Sequence, residues 1–547
     1  MKFSILNLKV FLLIPASISL IYYAHLYITS QPFIDDAPLL NASYLIEQGF
    51  QIYTNFESGH PPLATYFLFI LSKIYGLSSI KIFFYKITYF ILNLLSCFFI
   101  SKFAKFILEK NKINLDFSII FLIVTICSLN VFIPTLGNGL LRGEVLAFFG
   151  SSFLLFFISN ISKKNYALFG IFGGFLIFTI LFSSPRFFAS IILVLFFLFS
   201  YADINLIKKF KVIIISLFCF LLFSLILFNF FINFNDMIIN VLDFNFHPPN
   251  HTFIQMMSLR IERLNYIGLS PIGHFLTFKY TMFIFFAVYF FSFFIRNNNS
   301  LKNHIIDFVP IVILFIDFYF MAKNGDGAQQ SFSSFSFLLI SSMIFYSLKY
   351  YTNIFFKISK FKISFSQNIF LFFILSIFLY LLTTNYYKKM IWFNDMSSFN
   401  KLEITKQLNG QKITQDQLKN YHNGLIPNLG SWYYYTTLLC NSITGHVVAM
   451  DWEYAPGCQL SPSHYRSQYR FYAYHPQSIA RHGELNFLSD LKKQPVIIDN
   501  AVYIRFNTKT KSSSYSENEL LSIYQIIERD YVKLDWGYVL KDFYDSL

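Results

Sequence analysis

A chain of 547 residues that is 55% hydrophobic, 21% aromatic and only 13% charged falls far below the roughly 25% charged content of soluble domains and points to lipid as its solvent. Its net charge of +14 comes largely from lysines clustered in short breaks between apolar runs, the pattern of cytoplasmic loops, which speaks against nucleic acid as a partner. Five cysteines without CxxC spacing argue against a zinc site or a redox dithiol.

Val10–Ile28 follows Lys2 and Lys9 and has the look of a signal peptide. It lacks a small-residue cleavage site and many apolar segments follow, so it reads as a retained first span. Further segments suited to crossing about 30 Å of hydrocarbon lie near 80–101, 116–134, 144–161, 166–184, 187–202, 212–232, 280–295, 305–321, 332–348 and 368–384. The prediction is a polytopic α-helical membrane module over 1–384, with about eleven transmembrane helices. The alternating loops that include the N-terminus hold roughly twice as many Lys and Arg as the opposite set, which places the N-terminus in the cytoplasm. An odd number of spans then puts the C-terminus outside. Lys388 and Lys389 go against this trend but flank a long tail, where such charges count weakly.

Three outer regions follow: a first loop at 29–79, a second at 233–279, and a polar tail at 385–547 of domain size. In the tail, "HVVAM" and "PVIID" read as buried strands and "SENELLSIYQIIERDY" as a capped helix, the makings of a small α/β exoplasmic domain. Cys440 and Cys458 both lie there. They suit a disulfide in an oxidising compartment, or Cys440 in "TTLLCN" is a buried apolar residue. No internal repeat supports an inverted-repeat transporter.

The first loop carries the most informative text. Asp35 and Asp36 open a short helix that runs to about Gln48 and is closed by Gly49; helix capping alone accounts for either Asp. In "FESGHPPLATY", Pro61 pushes His60 into an extended conformation. "PPLATYFLFILSKIYG" then reads as a helix with proline at its start and Gly76 at its end. Leu63, Tyr66, Phe67, Ile70, Leu71 and Ile74 share one face of it. At roughly 20 Å it is too short to span and suits the outer interface. His60 would stand beside a helix N-terminus, where phosphate is attracted.

An acidic pair, an amphipathic helix, a glycine and then His60-Pro61-Pro62-Leu63 resemble the first outer loop of the protein O-mannosyltransferases and their bacterial aminoarabinose-transferase-like relatives. These family 39-like enzymes are membrane glycosyltransferases of the GT-C fold that use polyprenyl-phosphate sugars. "GNGLLRGEVLAFFG" is similar to the family's second outer loop, with Arg142 and Glu144 in the places of its Arg and acidic residue. "GDGAQQSFSSFSFLL" is similar to a late outer loop, without the prolines of the helix that follows it. "PNLGSWYYYTTLL" and "QPVIIDN" look like parts of bacterial exoplasmic domains.

The resemblance implies an inverting transfer from a polyprenyl-phosphate sugar to a lipid, glycan or protein acceptor, at the outer face of a bacterial inner membrane. A phosphate leaving group needs no general acid, so one carboxylate to take the acceptor's proton suffices if cations neutralise the phosphate; glycoside hydrolysis needs two. Asp35 is the expected base, with Asp36 and Glu144 as further catalytic candidates. His60, Arg142, Arg186, Arg260 and Arg263 are candidate donor-phosphate ligands, Arg being suited by its bidentate fork.

Plainer readings stand beside these. Arg142 and Glu144 make an interfacial ion pair, Arg186 snorkels at a helix end, and Arg260 and Arg263 in "SLRIERLNY" form a solvated helix face. His247 and His251 in "HPPNH" have metal-ligand spacing only superficially, since the prolines exclude a regular helix. No cofactor is implied with certainty, and a divalent metal is left open. Asp317, inside a predicted span, is a functional candidate by default, or pairs with Lys323. Asp307 lies near the cytoplasmic end of the same span. The alternatives in function are a polyprenyl-diphosphate glycan polymerase or ligase, and a lipid or sugar transporter. A transporter would carry charge and broken helices at mid-membrane, whereas here the polar residues gather in outer loops.

The topology makes a direct prediction. A reporter active only outside the cytoplasm, fused after residue 547, should be active, and one active only inside should be silent. The reverse pattern would contradict the cytoplasmic N-terminus.

Overall fold

The computed structural model describes residues 5–29, 37–47, 49–54, 60–76, 81–111, 114–136, 140–161, 164–238, 308–318, 332–342, 411–419, 447–449, 496–498, 528–534 and 537–547, with 438, 442 and 525 singly. The chain divides into two compact units. One comprises Met1–Tyr27, Pro61–Ala64 and Ile87–Met390, the other Ile28–His60, Thr65–Lys86 and Ile391–Leu547.

The helices in chain order are α1 (Ile5–Thr29), α2 (Ala37–Glu47), α3 (Pro62–Tyr75), α4 (Lys81–Lys110), α5 (Phe117–Cys127), α6 (Gly143–Asn160), α7 (Tyr166–Ser183), α8 (Phe188–Tyr201), α9 (Leu206–Phe230) and the single turn α10 (Phe234–Met237). They are followed by α11 (Phe308–Phe318) and α12 (Phe332–Ser342). Among the described residues five helices are long and apolar enough to cross a membrane: Phe83–Lys110, Phe117–Leu136, Gly143–Asn160, Tyr166–Ser183 and Leu206–Phe230. The segments expected at 280–295 and 368–384 lie outside the described residues.

Local chemistry sets several helix ends in the first unit. Asp116 caps α5, its Oδ1 accepting from the Ser118 amide at 2.8 Å, and Lys9 Nζ reaches its Oδ2 at 2.6 Å. Lys9 first, and then Ser118, hold the Asp116 carboxyl well below the usual carboxylate range. Because the folded value is depressed, this tie between α1 and α5 is present at neutral pH and is lost only as pH falls through that low value. After Cys127 the α5 helix widens into a π turn, Ser128–Phe132, and then tightens into a 3-10 turn, Ile133–Leu136.

Helices in lipid gain little from burying apolar side chains against each other, so small residues and polar contacts fix their pairing. α7 meets α9 through Gly170, Gly173 and Gly174, which lie against Ile215, Ser216 and Cys219. Ser151 of α6 and Ser190 of α8 share a hydrogen bond at 2.7 Å. Asn93 of α4 donates to the Tyr27 hydroxyl of α1 at 3.0 Å, and Asn130 in the π turn donates to Ser19 Oγ at 2.8 Å. Away from these contacts, Ile214, Leu217, Phe218, Leu221 and Leu225 of α9 are exposed, a face suited to acyl chains. Aromatic stacking closes the interior: Phe132 lies on Phe148 with ring centroids 3.9 Å apart, and Phe337 of α12 meets both Phe148 at 5.4 Å and Phe187 at 6.1 Å.

In the second unit, α2 and α3 end as their glycines suggest. Gly49 and Gly76 have φ of +88° and +80°, and amides after α2 return to the carbonyls of Leu45 and Ile46, which satisfies the last turn. Lys73 of α3 pairs with Glu47 of α2 at 2.9 Å. The buried face of α3 overlaps the apolar stripe only in part. Ala64, Thr65, Leu68, Leu71 and Ser72 are buried, while Ile70 and Ile74 are 52% and 65% exposed. Ala64, Thr65 and Ser72 pack inward together with Leu68 and Leu71, while the two isoleucines stay out, as lipid allows.

The tail contributes β1 (Val447–Ala449), β2 (Val496–Ile498), β3 (Tyr531–Leu534) and β4 (Gly537–Leu540) in the order β1-β2-β4-β3. β1 and β2 run parallel, pairing Val447 with Val496, while β4 is antiparallel to both its neighbours. Two short helices, α13 (Gln415–Lys419) and α14 (Lys541–Asp545), belong to the same unit, and Gln415 Nε2 donates to the Tyr544 carbonyl at 2.9 Å. Cys440 and Cys458 lie outside the described residues.

The glycine contacts give a graded test. A side chain at Gly174 would meet Ser216 O at 2.5 Å, Cys219 Cβ at 2.6 Å and the Phe220 amide nitrogen at 3.0 Å, mostly groups that cannot move aside; one at Gly173 would meet the Ser216 hydroxyl at 2.7 Å. Gly174→Val should therefore destabilise by about 1–3 kcal/mol or more, and Gly173→Ala by less. Thermal unfolding of the detergent-solubilised variants ranks them, and equal effects would contradict the packing described.

Candidate active site

The first unit brings two guanidinium groups together around one carboxylate. Arg142 precedes α6 in an extended conformation, φ −108° and ψ 153°, and Glu144 lies in the first turn, where a negative charge meets the positive end of the helix dipole. Arg142 Nε donates to Glu144 Oε2 at 3.3 Å. Arg186 Nη1 lies 3.5 Å from Glu144 Oε1.

Chain geometry explains how Arg186 arrives there. Pro185 favours an extended Ser184 (φ −155°, ψ 100°) and opens a 3-10 turn over Pro185–Phe187. Phe187 is fully buried and stacks toward Phe337, so Arg186 is displayed between the end of α7 and a fixed aromatic anchor.

The close approach depends on Gly143. A Cβ at that position would fall 2.1 Å from the Ser183 carbonyl oxygen and 3.3 Å from Ala64 Cβ. Ala64 stands two residues beyond Pro62, in the short Pro61–Ala64 stretch that belongs to this unit. The start of α6, the end of α7 and the start of α3 thus meet at one glycine.

The side chains of Arg142 and Glu144 are 6% and 8% exposed, and that of Arg186 is 27% exposed. Arg142 and Glu144 form the buried base of the cluster, and Arg186 is its open side. Both separations exceed the 2.7–2.9 Å of a tight charge-assisted bond, as expected when one carboxylate is shared.

A second polar cluster lies on α11 and α12. Asp317, 4% exposed, accepts from the Ser334 hydroxyl at 2.9 and 3.1 Å. Its described partner is thus a hydroxyl, and Lys323, the partner considered from sequence, lies outside the described residues. Ser333 shares a hydrogen bond with Thr135 at 3.0 Å, which joins α12 to the 3-10 turn Ile133–Leu136.

In the second unit, Tyr53 Oη donates to the His60 carbonyl at 2.5 Å, and Tyr53 has φ +69°. Lys86 of α4 is also buried there, at 1% exposure. Neither residue stands out in the sequence. The left-handed Tyr53 carries no residue-type signal, and Lys86 reads as one more lysine near the start of a span.

Of the site residues expected from sequence, Arg142, Glu144 and Arg186 converge, and His60 is described in the second unit. Asp35, Asp36, Arg260, Arg263, His247, His251 and Asp307 lie outside the described residues. Among the described residues no group of three His, Cys, Asp or Glu side chains could hold a metal ion.

No family model matches the sequence, and neither does any curated protein. Solved structures of the Archaeoglobus fulgidus oligosaccharyltransferase are similar to this chain at low levels. Its complex with zinc and sulfate is 14% identical, over 97% of this chain and 73% of that one, with a TM-score of 0.40. The apo form is 12% identical over 92% and 70%, with a TM-score of 0.44. The complex of the same archaeal enzyme, AglB, with an inhibitory peptide and a dolichol-phosphate is 12% identical over 92% and 70%, at 0.45. Likeness at this level carries no functional weight, and the roles assigned below rest on this chain's own residues.

The cluster predicts unequal costs for losing its members. Glu144→Gln removes the buried negative charge that two guanidinium groups share and should destabilise by roughly 3–5 kcal/mol. Arg186→Gln removes the more exposed partner and should cost about 1 kcal/mol or less. Denaturant unfolding in mild detergent measures both, and a reversed order would contradict the arrangement.

Proposed function

We propose that the chain is an inverting, membrane-integral glycosyltransferase that moves a sugar from a polyprenyl-phosphate donor to an acceptor on the outer face of the membrane. The observation that carries this reading is the convergence of Arg142 and Arg186 on Glu144. A phosphate monoanion or dianion is the natural complement of such a cluster, and Arg186, the more exposed cation, is the group to meet it.

In this mechanism the acceptor hydroxyl or amide attacks the anomeric carbon as the bond to the donor phosphate breaks. The electron pair leaves with the phosphate oxygen, where Arg186 and Arg142 stabilise the growing charge. Asp35 takes the acceptor's proton, with Asp36 the alternative base. Glu144, held between two cations, orients them. His60 adds a contact to the phosphate, and Arg260 and Arg263 are further candidate ligands. The sequence resemblance supports the donor class, and single displacement supports inversion.

A transporter reading finds less support. Among the described spans, the one that opens with α5 continues through a π turn, but the polar residues there, Ser128 and Asn130, are uncharged, and Asn130 donates to Ser19 Oγ and the Ile126 carbonyl, both at 2.8 Å.

The test is a donor-binding and transfer assay on purified variants with a folding control for each. Asp35→Asn should keep the donor bound while transfer falls by about 10²–10⁴-fold, the usual share of a positioned base. Arg142→Ala should weaken donor binding as well as transfer, because its partner is the phosphate in both ground and transition states. Near-full transfer by Asp35→Asn removes it as base in favour of Asp36 or Glu144. If Asp35, Asp36 and Glu144 all prove dispensable, the transferase mechanism fails.

A further inference from the structure

Tyr53 holds a backbone conformation that a bulky residue rarely adopts, with φ +69°. Glycine would take it without strain. Such strain persists only where surrounding contacts over-determine it, and it concentrates at functional sites. Here the surroundings are specific. Tyr53 is 4% exposed beside the fully buried Ile52, and its hydroxyl donates to the His60 carbonyl at 2.5 Å.

The sequence that follows explains the need for this bond. Pro61 and Pro62 have no N–H, so the segment entering α3 lacks two of the donors with which a chain ordinarily ties itself down. A side-chain donor from seven residues upstream fixes His60 in their place. Burial, and next the neighbouring Tyr66 phenol, push the Tyr53 phenol well above its ordinary value, and burial pushes Tyr66, in the second turn of α3, up to about 12. Tyr53 therefore remains an O–H donor across the physiological range, and the tie does not switch with pH.

We propose that Tyr53 is a positioning residue for His60: its hydroxyl, presented from a left-handed backbone, ties down the His60 carbonyl and thereby sets where the His60 imidazole stands at the entry to α3. The proposal rests on the reading of His60 as a contact to the donor phosphate. Tyr53 acts through His60 and touches no substrate itself.

The full-length protein in lipid nanodiscs tests it by two independent readouts. Tyr53→Phe keeps the ring and removes only the hydroxyl. Hydrogen exchange in peptides covering 60–66 should quicken several-fold while that in 37–47 stays unchanged. Transfer from a polyprenyl-phosphate sugar should fall about tenfold, the scale of one hydrogen bond, and adding His60→Ala should cause no loss beyond that of His60→Ala alone. Tyr53→Gly, which relieves the backbone and also removes the hydroxyl, should show the same two effects. Unchanged exchange at 60–66, losses that multiply in the double variant, or wild-type transfer by Tyr53→Phe would each overturn the proposal. A wild-type chain that transfers no sugar from this donor overturns both the function reading and the positioning role; quickened exchange then shows only that the hydroxyl holds the loop.

Discussion

The arrangement of the first unit turns on one backbone contact. At Gly143 the start of α6 lies so close to the Ser183 carbonyl that a Cβ would overlap it, at 2.1 Å. The contact sets the amino end of one helix against the carboxyl end of another, a favourable meeting of opposite dipole ends. Everything charged nearby follows from it. Arg142 stands immediately before the contact and Glu144 immediately after it, while Arg186 comes three residues beyond Ser183. No side chain intervenes to hold the two segments apart, so Glu144 can reach both guanidinium groups.

Buried charge is expensive in a protein of this composition, and a buried pair is weak evidence for stability by itself. The pattern here is better explained by division of labour. Arg142 and Glu144 are nearly sealed, whereas Arg186 is 27% exposed on its side chain. In the proposed function the buried pair steadies Arg186 as a preorganised ligand for phosphate, which is worth more where water is excluded than the same cation on a wet surface. Phe187 and Phe148 carry the mechanical side of this arrangement. Each lies beside or one turn from a member of the cluster and each meets Phe337 of α12, so α12 braces both arms.

Much of this was legible in the sequence, and the failures have physical causes. Apolar runs located α4 to α9 because lipid demands long uninterrupted segments, and Gly49 and Gly76 marked helix ends because only a left-handed residue closes those turns. "HVVAM" and "PVIID" contain the paired strands Val447–Ala449 and Val496–Ile498. Arg142, Glu144 and Arg186 could be named as candidates from their neighbours. Their sharing of a single carboxylate could not, since it depends on the Gly143–Ser183 approach across forty residues of chain. Periodicity found the apolar stripe of α3, but which of its residues are buried could not be read from it, because in lipid an apolar stripe is free to face outward. Tyr53 gave no sign at all, since left-handed backbone at a tyrosine is imposed by its surroundings. Asp317 drew notice as an intramembrane carboxylate, but its partner Ser334 looked like any hydroxyl in a serine-rich helix.

The central claim is that the cluster of Arg142, Glu144 and Arg186 exists to hold a lipid-linked phosphate. The most direct measurement is equilibrium binding of a polyprenyl phosphate and of the matching uncharged polyprenol to the intact protein in nanodiscs, with wild type and Arg186→Gln compared. The account predicts that wild type prefers the phosphate by at least about tenfold and that Arg186→Gln loses most of this preference while binding the polyprenol as before. Equal wild-type affinity for the two lipids, or a phosphate preference untouched by Arg186→Gln, would contradict it.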